Sequence, residues 1–177
     1  MTIAITGGIG SGKTYVRHLL EQRGHSVFDC DSTARQIIAT DPDVRRQLSG
    51  LVGAPLTKDA LRRYIHAAPG HAARVNAVVH PRVAEAFGRS GQSWMECAIL
   101  FESGFDRLVD RVIVVTCPLD IRLRRIMARD RCDEDTARRW VALQMSDADR
   151  LSRADYHIVN DGTTPLEPQL DAILTTL

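Results

Sequence analysis

The sequence lacks a long hydrophobic run, since no apolar stretch approaches the roughly 20 residues that a helix needs to span a bilayer. It also lacks a basic amino-terminal segment followed by an apolar core, so we expect no signal peptide. Net charge is almost absent, because 23 Lys and Arg residues oppose 22 Asp and Glu residues. This balance gives no electrostatic reason for a nucleic-acid or membrane partner, and we expect neither.

The four cysteines lack the spacing of a metal site or a redox pair. None belongs to a Cys-x-x-Cys pair or has a histidine at metal-ligand spacing. Cys30, Cys97 and Cys117 lie in or beside apolar strand patterns, which favours buried free thiols. These features fit a reducing cytoplasm, where we expect a monomer or a weak homo-oligomer.

Residues 7–14 form a complete phosphate-binding loop, Gly-Gly-Ile-Gly-Ser-Gly-Lys-Thr. The loop follows an apolar run at 3–6 and leads into a helical pattern, as its mechanism requires. Glycines let backbone N–H groups surround a polyphosphate, and the helix N-terminus adds positive potential. Lys13 is expected to reach the β- and γ-phosphates, and the Thr14 hydroxyl to bind Mg²⁺. These flanks disfavour a glycine-rich turn that binds nothing, so the sequence predicts binding of a nucleoside triphosphate.

The apolar patterns predict an α/β fold, in which strands alternate with helices and form a five-stranded, mostly parallel sheet with helices on both faces. The predicted strands are 3–6, 26–29, 94–100, 111–116 and 156–159. The predicted helices between and after them include 14–23, 81–89, 119–129 and 166–174. With the phosphate loop, this order predicts the three-layer fold of P-loop NTPases in a single domain.

Two helical insertions interrupt this alternation. Residues 32–80 contain four helical pieces and no convincing strand, and they could form a wall for a second substrate. Residues 119–153 are helical and rich in charge, with a second helix beginning near Asp133, and they could form a movable lid. The predicted helical pieces of the first insertion are 33–39, 42–48, 58–66 and 72–79. The predicted core then comprises 1–31, 81–118 and 154–177.

The class of phosphate-loop protein follows from motifs that are missing. No Asn-Lys-x-Asp guanine reader is present, and residues 94–96 only approximate the strand and acid of a motor ATPase. A small kinase that phosphorylates a small molecule remains.

Two acids bear on this choice, because Asp29 and Asp31 end the second strand, where ligands of parallel sheets lie. Strand alternation would place both on one side, where a carboxylate could accept a hydroxyl proton or hold Mg²⁺ through water. Asp31 could instead, or in addition, cap the following helix.

Motifs along nearly the whole chain resemble those of the dephospho-coenzyme A kinases. They are the phosphate loop, Asp29-Cys30-Asp31, His80-Pro81, Ile99-Leu100-Phe101-Glu102, Arg125–Asp130, Gln144-Met145 and Ala154–Gly162. The resemblance implies ATP-dependent phosphorylation of the ribose 3′-hydroxyl of dephospho-coenzyme A. This reaction gives coenzyme A and ADP and ends coenzyme A biosynthesis.

The resemblance also implies residue roles. Asp31 would be the general base, and the other catalytic residues would be Lys13 and Arg129. ATP would be bound by Gly8, Gly10, Ser11, Gly12, Lys13, Thr14, Tyr15, Arg125, Asn160 and Gly162, the last two on the adenine side. The acceptor would be bound by Asp31, Arg35, His80 and Glu102, and Thr14 would hold Mg²⁺.

Several of these residues have a simpler interpretation. Arg125 and Arg129, which lie in the lid segment, could belong to a solvated helix face, and Glu102 could be a surface acid. His80-Pro81 could be an ordinary helix entry with proline at the first helical position. The alternatives for the whole protein are a kinase for a nucleoside or a sugar and an ATP-binding regulatory module that has lost its activity.

The sequence also departs from the family pattern. Glu96 and Ala98 stand where the motif has Asp and Pro, and Arg122 stands where it has a lid glutamine. The region 50–68 is shorter than usual and lacks an Asp-Arg pair before Leu61, which bears on acceptor contacts.

Overall fold

A five-stranded sheet forms the centre of the protein's larger compact unit. The computed structural model describes residues 1–177, and the strands lie in the order β2-β3-β1-β4-β5. They are β1 (Ile3–Thr6), β2 (Val27–Asp29), β3 (Trp94–Glu96), β4 (Arg111–Thr116) and β5 (Tyr156–Val159). Strand β1 pairs in parallel with β3 and β4, and β4 pairs in parallel with β5. The predicted α/β architecture is confirmed.

Helices bury the sheet in this unit, which comprises residues 1–28 and 92–177. The helices are α1 (Lys13–Gln22), α6 (Leu119–Asp130), α7 (Glu134–Ala142), α8 (Asp147–Leu151) and α9 (Leu166–Leu174), besides a short 3-10 helix at Phe105–Leu108. Ile5 and Ile113 pack with Leu20 of α1 and Leu170 of α9 in one apolar cluster. Side chains that alternate with these along the strands are also fully buried, among them Ala4, Met95 and Val114. Both faces of the sheet are therefore covered.

The second compact unit comprises residues 29–91 and is helical apart from the end of β2. Its helices are α2 (Cys30–Thr40), α3 (Pro42–Val52), α4 (Lys58–Ala67) and α5 (His71–Ser90). Side-chain oxygens cap the first turn of three of them. Asp29 accepts the backbone N–H of Ser32, Asp41 accepts those of Asp43 and Val44, and Thr57 accepts that of Ala60. Such caps satisfy N–H groups that have no partner within the helix.

The prediction that Asp31 caps a helix is wrong. Asp29 is the cap, because its carboxylate accepts the backbone N–H of Ser32 at 2.8 Å and helix α2 begins at Cys30. Asp31 therefore lies in the first helical turn, so strand alternation does not extend to it. Its negative charge lies at the positive end of the helix dipole.

The prediction that a helix begins at Pro81 is also wrong, because α5 continues through this proline from His71 to Ser90. Val75, Val79, Val83 and Phe87 recur every fourth residue and are all buried. Burial of this single apolar face stabilises the helix on both sides of the proline. The proline itself destabilises only the turn before it, where one backbone hydrogen bond is lost. The interpretation of His80-Pro81 as a helix entry is therefore excluded.

Strand β3 is shorter than the sequence indicates. It ends at Glu96, whereas the apolar run continues to Leu100, which is buried in a turn. A buried turn is as apolar as a buried strand, because burial selects apolar residues in both, so the sequence does not distinguish them here.

No helix of the protein is long and apolar enough to cross a membrane.

Candidate active site

The phosphate loop, residues 7–14, connects β1 to α1 and packs tightly against Asn160. Gly12 has a φ of 95°, which favours glycine, and a Cβ at this position would lie 2.0 Å from the Asn160 side-chain nitrogen. That nitrogen donates a hydrogen bond to the carbonyl oxygen of Ser11 at 2.8 Å. Asn160 follows β5, so the end of this strand supports the loop where α1 begins.

Arg125 of α6 supports the same part of the loop. Its guanidinium donates to the carbonyl oxygen of Gly10 at 3.3 Å and to Asn160 Oδ1 at 3.1 Å. It also lies 3.4 Å from the sulfur of Cys117, a thiol whose pKa is raised by burial. Arg125 is therefore no residue of a solvated helix face; it connects α6, the loop and the segment after β5.

Two further side chains hold the other half of the loop at Ile9. Arg122 Nε donates to the Ile9 carbonyl oxygen at 2.9 Å, and the Ile9 N–H donates to Gln144 Oε1 at 2.7 Å. The Arg122 guanidinium also occupies the space that a Cβ on Gly8 would need, with a nitrogen 2.2 Å from that position. Neither Arg122 nor Gln144 is among the site residues predicted from the sequence, although Gln144 belongs to a family motif and Arg122 stands at a lid position.

A chain of alternating charges continues from Arg122. Asp147 accepts from Arg122 at 3.1 Å and from Arg150 at 3.2 Å, and Arg150 lies 3.4 Å from Glu102 Oε1. The Arg150 side chain is completely buried, and the Met145 N–H also donates to Glu102. Glu102 is therefore not an isolated surface acid. It joins the segment after β3 to residues 145–150.

Thr14 and Lys13, at the end of the loop, have different partners. The Thr14 hydroxyl donates to Glu96 Oε1 at 3.0 Å, and Glu96 Oε2 forms an ion pair with Arg17 at 3.1 Å. Lys13 Nζ donates to the carbonyl oxygens of Gly7 and Gly8 at 2.9 and 3.3 Å. Glu96 is not among the site residues predicted from the sequence. The available signal was the partial likeness of residues 94–96 to the strand and acid of a motor ATPase.

A cleft of about 510 Å³ opens beside the loop. Five of the predicted ATP-binding residues line it: Gly12, Tyr15, Arg125, Asn160 and Gly162. Its far wall includes Glu167, whose carboxylate accepts from the Tyr15 hydroxyl at 3.4 Å. Asp161 shapes the intervening turn by accepting the N–H groups of Thr163 and Thr164, which lowers the pKa of its carboxyl group. The site thus offers an anion-binding loop and an adjoining cleft of ligand size.

The remaining predicted residues lie elsewhere. Arg129 is mostly exposed and donates to the neighbouring Asp130 at 2.7 Å, which raises its pKa, and no hydrogen bond joins it to the loop. Asp31, Arg35 and His80 belong to the second unit. The first two are four residues apart on α2 and therefore share one face. His80 is half-buried in α5, and desolvation lowers its pKa, which favours neutral imidazole.

The phosphate loop, the side chains that hold it and the cleft form the site of a nucleotide-binding kinase. Comparison with known protein families identifies the kinase family. The model of the family described as dephospho-CoA kinase matches residues 1–165. The chain belongs to this family. A dephospho-CoA kinase from Bacteroides fragilis (strain YCH46) is 41% identical over 189 aligned residues, which cover 99% of this chain and 92% of that protein.

Solved structures share the fold of this dephospho-CoA kinase family member. The crystal structure of TT1252 from Thermus thermophilus matches with a TM-score of 0.86 and 30% identity, covering 100% of this chain and 97% of that chain. A dephospho-CoA kinase from Campylobacter jejuni has the same fold, with a TM-score of 0.66 at 19% identity over 98% and 95% of the two chains. The resemblance predicted from the sequence is confirmed, and with it the enzyme class: a kinase that uses ATP.

Proposed function

We propose that this protein transfers the γ-phosphate of ATP to the ribose 3′-hydroxyl of dephospho-coenzyme A. The products are coenzyme A and ADP, and the reaction is the final step of coenzyme A biosynthesis. The observation that carries this proposal is the family match over residues 1–165, which includes the complete phosphate loop. The proposed partners are small molecules only, ATP and dephospho-coenzyme A, encountered in the cytoplasm by a monomer or a weak homo-oligomer.

The phosphate loop and the adjoining cleft would bind different parts of ATP. Backbone N–H groups of the loop and the N-terminus of α1 would hold the triphosphate, while the nucleoside would enter the cleft beside Gly12 and Asn160. Lys13 now donates to loop carbonyl oxygens, and it would exchange these weak acceptors for the phosphate oxygens. Gln144, Arg122 and Arg125 would keep the loop in the shape that fits the anion.

The residues around Thr14 fit Mg²⁺, which prefers oxygen ligands. A hydroxyl and a carboxylate lie 3.0 Å apart at Thr14 and Glu96, and Arg17 holds the second carboxylate oxygen. No cluster of three or more His, Cys, Asp or Glu side chains could enclose a metal. This suits an ion held by one or two protein oxygens together with substrate phosphates. When bound, Mg²⁺ supplies positive charge that neutralises the transferring phosphoryl group.

Asp31 is the proposed general base. A carboxylate at the beginning of α2 can accept the proton of the 3′-hydroxyl as that oxygen attacks the γ-phosphorus. Arg35, one turn further along the same helix face, is proposed to contact the acceptor's phosphates, and His80 and Glu102 to contact the acceptor. Arg129 is proposed to stabilise the phosphoryl group from the helical segment 119–153, the proposed lid. For this role it would exchange Asp130 for phosphate oxygens.

A coupled ATP-consumption assay with dephospho-coenzyme A tests the proposal. Wild-type protein should consume ATP only with acceptor present, and mass spectrometry should show one added phosphate. An acceptor that lacks the 3′-hydroxyl should remain unmodified, and Lys13→Ala should abolish transfer while leaving the fold intact. Consumption of ATP with a nucleoside or a sugar but not with dephospho-coenzyme A would overturn the assignment.

A further inference from the structure

The two ends of the segment formed by α6 and α7 meet at one residue of the phosphate loop. Arg122, near the start of α6, donates from Nε to the Ile9 carbonyl oxygen at 2.9 Å. Gln144, which follows α7, accepts the Ile9 N–H at 2.7 Å. Both backbone polar groups of Ile9 are therefore held by side chains, one by a donor and the other by an acceptor.

The two side chains that hold Ile9 differ in their surroundings. Arg122 is buried and forms an ion pair with Asp147 at 3.1 Å, and Asp147 also pairs with the buried Arg150. Gln144 is partly exposed, and its side chain makes no other hydrogen bond within the chain. Arg122 thus belongs to an ionic network as well as to the loop, whereas the loop is the one hydrogen-bonding partner of the Gln144 side chain.

The position of the nucleoside cleft shows at which end of the loop Ile9 lies. The cleft is lined by Gly12 but not by Gly8 or Ile9. Lys13, which is expected to reach the β- and γ-phosphates, has its amino group at the carbonyl oxygens of Gly7 and Gly8. A triphosphate would therefore run from Gly12 at the nucleoside end towards Gly8 at the terminal phosphate. Ile9 follows Gly8 and so lies near the terminal end.

Different side chains thus support the two ends of the loop. Asn160 holds the Ser11 carbonyl oxygen beside the cleft, and Gln144 holds the Ile9 N–H at the other end. We propose that Gln144 is a positioning residue for the transferred phosphate, acting through the backbone of Ile9. The inference rests on the proposed function and adds to it a residue outside the loop. Preorganised backbone donors stabilise a transferring phosphoryl group only when they are held in place, which is the effect of this contact.

Gln144→Met tests the inference, because methionine has nearly the same length and lacks the oxygen that accepts the Ile9 N–H. Isothermal titration calorimetry with Mg²⁺ present should show about tenfold weaker binding of a non-hydrolysable ATP analogue to this variant. ADP, which lacks the terminal phosphate, should bind within about twofold of its wild-type affinity. The difference between the two nucleotides is the decisive measurement, since a general loss of structure would weaken both alike.

Gln92→Met is the matched control. Gln92 is partly exposed like Gln144, and its side chain donates to the Ser26 hydroxyl, so the same substitution removes one hydrogen bond between distant segments. Gln92 and Ser26 precede β3 and β2, so they lie at the amino ends of these strands, whereas the loop follows the carboxyl end of β1. The control should leave the affinities for ADP and for the ATP analogue within about twofold of wild type.

Steady-state kinetics provides the second measurement. Gln144→Met should lower kcat about tenfold, while KM for dephospho-coenzyme A stays within about twofold. Equal weakening of ADP and the ATP analogue, or an unchanged affinity for both, would overturn the positioning role. If wild-type protein fails to phosphorylate dephospho-coenzyme A but Gln144→Met still selectively weakens the ATP analogue, the proposed function is contradicted and the role of Gln144 at the terminal phosphate stands.

Discussion

The hydroxyl of Thr14 donates a 3.0 Å hydrogen bond to Glu96, which joins the end of the phosphate loop to the end of β3. The parallel register of the sheet produces this contact, because Ile5 of β1 lies opposite Glu96. Arg17, one turn after Thr14 on α1, holds the other carboxylate oxygen. The acid at the carboxyl end of β3 is thereby fixed beside Thr14, the proposed metal ligand.

Glu96→Gln should increase the Mg²⁺ concentration required for half-maximal activity. The amide retains an oxygen for the Thr14 hydroxyl but removes the charge, and loss of such support lowers metal affinity by about 10- to 100-fold. Titration of Mg²⁺ at saturating ATP measures the effect. Glu21→Gln is the control, because Glu21 pairs with the same Arg17 at 3.4 Å but has no contact with Thr14. An unchanged Mg²⁺ dependence in Glu96→Gln would remove this acid from the metal site.

Gly12→Ala should lower both stability and ATP affinity. An alanine at this position would have to adopt a positive φ, and its Cβ would lie 2.0 Å from the Asn160 side-chain nitrogen. Gly24→Ala is a matched control, with a φ of 85° and nothing within 4 Å of the added Cβ. Gly24→Ala should lower the free energy of unfolding by the backbone strain alone, about 1–2 kcal/mol. Thermal melting with and without ATP distinguishes the two variants, and equal behaviour would contradict the packing against Asn160.

Arg150→Ala should destabilise the fold by about 3 kcal/mol, because removing this buried arginine leaves Glu102 without its ion-pair partner and Asp147 with Arg122 alone. Asp147 and Glu102 would lose the arginine that now lies between them. Arg124→Ala should cost no more than about 0.5 kcal/mol, because its ion pair with Asp120 is exposed. Urea denaturation measures both variants. A small loss in Arg150→Ala would show that the network contributes little to stability.

Asp31→Asn should reduce turnover by about 10²- to 10⁴-fold while ATP binding stays near normal. The carboxylate also lies at the positive end of α2, but the loss of that interaction should cost at most about 1 kcal/mol. Turnover and thermal melting therefore separate the two roles. A large fall in melting temperature with nearly normal turnover would make Asp31 a structural residue rather than a base.

The sequence predicts elements reliably where the local pattern is sufficient. The bounds of β1, β4, β5 and α9 agree with the apolar periods, and the phosphate loop is placed by its own glycines. The predictions for Pro81 and the end of β3 are wrong because tertiary burial outweighs local preference. The valines around Pro81 hold the helix together, and Leu100 is buried without being a strand.

The supports of the site could not be predicted, because they depend on distant pairs. Gln144 reaches Ile9 across 135 residues, and Arg122 reaches the same residue across 113. Neither pair has a local sequence signal. Glu96 is an intermediate case, since it lies within the predicted strand 94–100 but its contact with Thr14 depends on which strands are neighbours. The roles of Asp31, Arg35 and His80 stay predictions from the family resemblance.

The proline within α5 has a mechanical consequence. Because Pro81 has no N–H, the carbonyl group of Ala77 lacks its usual donor one turn ahead, and the hydrogen-bond ladder is interrupted near the middle of the protein's longest helix. A helix bends with least resistance at such a break. The segments 71–80 and 82–90 are therefore joined by one backbone hydrogen bond fewer than an uninterrupted helix has, with His80 next to the break.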